Sequence, residues 1–245
     1  MINILHLYYD ILNLYGENAN PRAIVNELKR SKIKTKIDFK SINDKIDFTK
    51  YDIVYIGSGS EESLFIVLED ILKREKELKS YIEDDKYLFL TGNSMNLFGK
   101  YIEKFDGDKK DALSIFNYHT VLSDKLLFNN EASVDRIVGE VIASSKLIDK
   151  KIVGFQNRCD RVHNVKTPFL KVKKNYSNDE NSTNEGFNYK NVYATHLIGP
   201  LFIRNPYLTD YFLKKICESK KLNYVINEKD TAKKAYKKYL ENSVN

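Results

Sequence analysis

Leu88-Phe89-Leu90-Thr91-Gly92-Asn93-Ser94-Met95-Asn96-Leu97-Phe98 reads as the end of a buried strand, a tight turn at glycine and the start of a helix. Open α/β sheets use this kind of junction to expose a reactive side chain above the carboxyl ends of their strands. A single such turn is common, because any strand-to-helix junction favours glycine. Its meaning depends on what precedes and follows it.

On the amino-terminal side, Ile2 to Leu7 forms a short apolar run expected to be a first strand. Asn20 is placed to cap a following helix, with Pro21 in its first turn and helical spacing through about Ser31. Ile33 to Phe39 predicts a second strand. Asp52 to Ile56 predicts a third, which runs into Gly57-Ser58-Gly59-Ser60-Glu61. Ser60 can cap a helix that carries Leu64, Val67, Leu68, Ile71, Leu72 and Leu78 on its core face. Lys86 to Thr91 is then the fourth strand.

Strand and helix alternating at this spacing argue for βαβ units. On the carboxyl-terminal side short strands are expected at Ile137 to Ala143, Ile152 to Phe155, Leu170 to Val172 and Val192 to Leu197. Asn175 to Asn188 is polar and reads as an exposed loop. Helices are predicted from Pro206 to Ser219 and from Thr231 to Leu240. The expected fold is α/β, an open and mostly parallel sheet flanked by helices, with additional short strands in the second half. A single domain over residues 1–245 accommodates it.

Composition narrows the function classes. Over 245 residues, 42% hydrophobic and 30% charged content fits a soluble globular chain rather than a disordered one. The net charge of +6 is spread among interspersed Lys and Glu, with no basic block or aromatic–basic stripe to grip a nucleic acid. No apolar run approaches the roughly 20 residues of a spanning helix, and the first residues lack the features of a signal peptide, so a cytoplasmic location is expected. Two cysteines, Cys159 and Cys217, are too few for a disulfide framework or a zinc site, so neither metal nor cofactor is expected.

Gly57-Ser58-Gly59 and Gly92-Asn93 both fall where parallel sheets bind ligands, after the third and fourth strands. Glycines there let backbone N–H groups approach a ligand. Taken in this order with Leu12-Asn13-Leu14-Tyr15-Gly16, Arg136-Ile137-Val138-Gly139-Glu140, Val153-Gly154-Phe155-Gln156-Asn157 and Asn191-Val192-Tyr193-Ala194-Thr195-His196-Leu197-Ile198-Gly199-Pro200, the chain resembles the class I glutamine amidotransferases of the cobyric-acid-synthase type. Within them it is most similar to the glutaminase subunits of lipid II isoglutaminyl synthases. The resemblance covers nearly the whole chain and implies a flavodoxin-like fold.

It also implies a chemistry. In such enzymes a cysteine thiolate attacks the glutamine carboxamide, backbone N–H groups hold the oxyanion and a histidine moves the proton. The family's nucleophile turn reads roughly Cys-Gly-Gly-Tyr-Gln-Leu-Leu-Gly-Lys, which puts Gly92 at the cysteine. The family's Thr-Tyr-Leu-His-Gly-Pro puts Ile198 at the histidine. The resemblance therefore implies a glutaminase-like subunit of peptidoglycan amidation whose catalytic pair is vacant. It further implies an ATP-dependent Mur-ligase-like partner, since this chain has no P-loop.

Arg136 matches an arginine of the family's glutamine site, where a guanidinium pairs with the substrate carboxylate; the plain alternative is a surface arginine. Gly57, Ser58, Gly59 and Asn93 complete the expected substrate-binding set. Two substitutes stand open for an active hydrolase with relocated residues, Ser94 as nucleophile and His196 as relay. The bland readings are a capping serine and a structural histidine. A third reading is a module that binds glutamine or a related amino acid without turnover.

Overall fold

A computed structural model describes residues 1–122, 126–128, 131–133, 136–173, 176–228 and 230–243. The first four strands are β1 (Ile2–Leu7), β2 (Thr35–Lys40), β3 (Ile53–Ile56) and β4 (Tyr87–Thr91); β1, β3 and β4 are buried apolar runs, and β2 is a half-buried edge strand. They are followed by β5 (Tyr101–Glu103), β6 (Lys109–Asp111), β7 (His119–Leu122), β8 (Leu126–Phe128) and β9 (Glu131–Ser133). Next come β10 (Ile137–Ala143), β11 (Ile152–Arg158), β12 (Asp160–His163), β13 (Leu170–Lys171), β14 (Asn184–Glu185), β15 (Phe187–Tyr189) and β16 (Val192–Thr195). The helices are α1 (Ala19–Arg30), α2 (Glu61–Ile71), α3 (Glu75–Glu83), α4 (Leu201–Arg204), α5 (Pro206–Ser219) and α6 (Thr231–Ser243).

The main sheet runs in the order β15-β16-β4-β3-β1-β2. All its pairings are parallel except β15 with β16. The first four strands thus lie in the order 2-1-3-4, the flavodoxin-like arrangement, whose ligand sites lie beyond the carboxyl ends of the strands. Side chains alternate across this sheet with period two. Leu5, Leu7, Val54, Ile56, Leu88 and Leu90 enter one core with α2 and α3. Ile2, Ile4, Ile53, Tyr55, Tyr87 and Phe89 enter the other with α1 and α5. Phe89 anchors the second core, with the rings of Phe212 and Phe202 at 4.9 and 5.1 Å.

Several local expectations are corrected. The second strand begins at Thr35 rather than Ile33, because Ile33 closes the turn after α1 with its N–H on Leu28. Asn20 does not cap α1, which starts a residue earlier; its side chain is buried in the interior. The helix after Ser60 breaks at a 3-10 turn over Leu72–Arg74, so Leu78 belongs to α3. Ser60 does cap α2, accepting from the Ser63 N–H at 3.1 Å. The turn at Gly92 continues as a 3-10 helix through Phe98 rather than an α-helix.

The segment expected to be an exposed loop, residues 175–188, instead carries β14 and part of β15 and buries Ser177, Asn178 and Glu185. Asn175 lies outside the described residues. Among the described residues no helix is long and apolar enough to cross a membrane.

Candidate functional site

Three loops converge beyond the carboxyl ends of β3, β4 and β16. Gly57–Ser60 leaves β3, Gly92–Asn93 leaves β4, and His196–Ile198 leaves β16. An isolated antiparallel bridge between Phe155 and Ile198 ties the last of these to β11. Together they border a cavity of about 230 Å³ that also meets Tyr15, Glu61, Asn96, Arg136, Asn157, Arg158 and Asp160.

Gly92 has φ +61°, the left-handed region in which an exposed reactive residue is held at a sharp strand-to-helix turn. A Cβ placed there would overlap the hydroxyl and Cβ of Ser58 and would stand 3.2 Å from Cγ2 of Ile198. The structure therefore brings Gly92 and Ile198 face to face, with Ser58 filling the space a side chain at position 92 would need. Gly57 is glycine for a separate reason. A Cβ on it would overlap the Leu12 carbonyl and stand 2.8 Å from Glu17 Cβ, so the chain of residues 12–17 closes directly over this loop.

Asn93 spends its side chain on the glycine loop. Its Oδ1 accepts the Gly59 N–H at 3.1 Å and the Ser58 hydroxyl at 3.2 Å, and its Nδ2 donates to the Gly59 carbonyl at 2.8 Å. The backbone N–H of Asn93 points to Ser58 Oγ at 3.5 Å. The N–H groups of Gly59 and Asn93 are thus both directed at the protein's own side chains.

Ser94 turns away from the cavity. Its buried hydroxyl lies 2.9 Å from the Thr91 carbonyl and 3.2 Å from the Ile56 carbonyl, both acceptors. His196 is buried at the cavity's base. Its backbone N–H donates to Glu185 Oε1 at 2.7 Å, its Nδ1 lies 3.1 Å from the same oxygen, and its Nε2 lies 3.6 Å from Asp160 Oδ1. Glu185 also accepts from the Thr195 hydroxyl at 2.8 Å.

Asp160 is held in turn by Arg158 at 2.9 Å and by Asn96 Nδ2 at 2.5 Å. Burial alone would raise its carboxyl, but the charges of His196 and Arg158 and the Asn96 bond prevail and hold it down to about 2. Arg158 also donates to the carbonyls of Asp160 and Ser177. Among the described residues this polar network makes no bond to Ser94.

Arg136 lies at the rim, its guanidinium 3.2 Å from Glu61 Oε1 and 2.9 Å from Asn157 Oδ1. The Cys159 thiol donates to the same Glu61 oxygen at 3.0 Å. Burial and that carboxylate push the thiol well above its ordinary value, so it is not a primed nucleophile.

Sequence reasoning missed Glu17. It is fully buried directly behind the Gly92 turn, accepting hydrogen bonds from Thr91, Tyr55 and, at 3.2 Å, Asn20 Nδ2. Burial pushes its carboxyl up to about 7 against those bonds. Asn20 extends the link to α4 by accepting from the Phe202 N–H at 2.9 Å. The signal was available only as an acid directly after Leu12–Gly16, where it resembled ordinary loop polarity. Among the described residues no group of three or more His, Cys, Asp or Glu is arranged to hold a metal ion.

Comparison with known proteins places these features. The sequence profile of the CobB/CobQ-like glutamine amidotransferase domain matches residues 3–206. The GatD subunit of lipid II isoglutaminyl synthase (glutamine-hydrolyzing) from Staphylococcus aureus is 30% identical over 230 residues, 94% of this chain and 90% of that one. The corresponding subunit from Streptococcus pneumoniae is 25% identical over 206 residues, 83% of this chain and 76% of that one. The crystal structure of a glutamine amidotransferase from Thermotoga maritima superposes with a TM-score of 0.52 at 12% identity, covering 96% of this chain and 92% of that one, a likeness of fold.

Proposed function

The chain belongs to the CobB/CobQ-like glutamine amidotransferase family, and from that membership we propose that it is a non-hydrolysing, glutaminase-like subunit that acts by binding a partner. The reading takes residues 1–245 as one amidotransferase-like domain. The carrying observation is that Gly92 and Ile198 face each other: a Cβ on Gly92 would stand 3.2 Å from Ile198 Cγ2, in space the Ser58 side chain already fills. The two positions where the resemblance expects a cysteine and a histidine meet in space, and neither side chain can attack a carbonyl or move a proton.

The curated relatives are subunits of a glutamine-hydrolysing synthase that acts on lipid II. By analogy the proposed partner is an ATP-dependent Mur-ligase-like subunit, and the proposed setting is lipid II amidation. The relocated-residue reading finds little support. Ser94 bonds two backbone carbonyls, and His196 faces Glu185 and Asp160 rather than any hydroxyl nucleophile.

The test is a pull-down of the tagged chain from its own cells, coupled to an assay of ammonia release from glutamine on the isolated chain and on any complex. The proposal expects a ligase-like protein in stoichiometric amount and no ammonia attributable to this chain. Ammonia release abolished by Ser94→Ala or His196→Ala overturns it.

A further inference from the structure

Two pairs of the protein's own polar groups border the cavity. In one, a carboxamide, that of Asn93, presents its oxygen to the Gly59 N–H and its nitrogen to the Gly59 carbonyl. A carboxamide has one acceptor end and one donor end, and here both are matched to a single backbone unit. In the other, a carboxylate, that of Glu61, meets the Arg136 guanidinium at 3.2 Å. The cavity of about 230 Å³ is bordered by all four of these residues.

We infer that Asn93 and Glu61 are intramolecular stand-ins for a ligand carrying a terminal carboxamide and a carboxylate, and that they set the specificity of the cleft by excluding such a ligand. The inference rests on the glutaminase-like reading and deepens it: the site lacks its reacting groups and is also closed to their substrate. A free amino-acid amide would have to break the Asn93–Gly59 pair and the Glu61–Arg136 pair while losing its own translational freedom. Groups tethered to the chain lose none on engaging, and they act at an effective concentration in the millimolar range or above. Free glutamine at lower concentration does not displace them.

Asn93→Ala frees the N–H and carbonyl of Gly59, and Glu61→Ala removes the carboxylate from Arg136, whose bonds to Asn157 remain. The experiment is calorimetry with glutamine on the wild type, each single variant and the double variant. It is accompanied by ¹⁵N NMR of the Gly59 amide, a thermal-unfolding check of each variant, and an ammonia assay on all four proteins. The double variant is expected to bind glutamine at least about tenfold more tightly than the wild type, the order expected for one regained charge-assisted pair, and to shift the Gly59 amide on binding. The ammonia assay is expected to stay at background throughout. A wild type that binds glutamine as tightly as the double variant overturns the inference, as does a folded double variant with no gain. Ammonia release by the wild type instead overturns the non-hydrolysing reading, so the two failures are told apart.

Discussion

Cγ2 of Ile198 lies 3.2 Å from where a Cβ on Gly92 would stand, and the Ser58 side chain occupies the same notch. Gly92→Cys therefore meets two obstacles, a left-handed backbone and an overlap with Ser58. It is expected to lower unfolding stability by about 1–3 kcal/mol, read as a shift in the urea midpoint. Adding Ser58→Gly relieves the overlap and recovers part of the loss. Gly92→Cys with Ile198→His but with Ser58 retained is expected to release no ammonia above background.

The Arg158–Asp160 pair predicts a large structural effect. Both side chains are almost fully buried, and Arg158 also serves two backbone carbonyls. Asp160→Asn leaves the guanidinium charge without its counter-ion and is expected to destabilise the fold by about 3–5 kcal/mol. Denaturant unfolding of the variant beside the wild type checks this.

Glu17 gives stability a slope. Its folded carboxyl titrates at about 7, against 4.5 for the ordinary group. A raised acid favours the folded state fully below 4.5, and that advantage is lost as pH rises through 7. The shift corresponds to on the order of 3 kcal/mol between those limits. Glu17→Gln is expected to flatten the fall in unfolding free energy between pH 5 and pH 8, whatever its effect on the absolute value.

His6 tilts the curve the other way. It is fully buried against Tyr55, Phe39 and Tyr9, and among the described residues neither ring nitrogen has a hydrogen-bond partner. Burial, with the Arg22 charge and against that of Asp10, lowers it from 6.5 to about 4. The neutral ring supports the fold above 6.5, and this support is lost as pH falls through 4. His6→Leu is expected to reduce the acid lability seen between pH 6.5 and pH 4 in thermal unfolding, by an amount on the order of 3 kcal/mol.

The strands that build the sheet were legible because burial on both faces writes them as continuous apolar runs, as in Ile53–Ile56 and Tyr87–Thr91. The positions of Gly57, Gly92 and Ile198 at the sheet's carboxyl edge followed from those runs and from the family pattern. What stayed hidden was polar and long-range. Glu185 sits in a stretch whose composition is that of a surface loop, yet it is fully buried on His196.

Glu17 and Asn20 look like a loop acid and a helix cap, but they join Tyr55, Thr91 and Phe202 across the fold. The Asn93–Gly59 pair spans 34 residues. A polar side chain's partner is chosen by tertiary geometry, and no local period announces it. Arg136 and Ser94 show the same limit, because their residue types were readable and their orientations were not.

The packing of Ser58 into the Gly92 notch also has a consequence for the routes open to variation at this site. Ser58, Gly92 and Ile198 crowd one another, so a larger residue at 92 enters without overlap only after 58 has shrunk. With a glycine first at 58 the step to a side chain at 92 is open; in the reverse order it passes through a strained intermediate. A single substitution cannot convert this cleft into a nucleophilic one, and the order of changes matters as much as their identity.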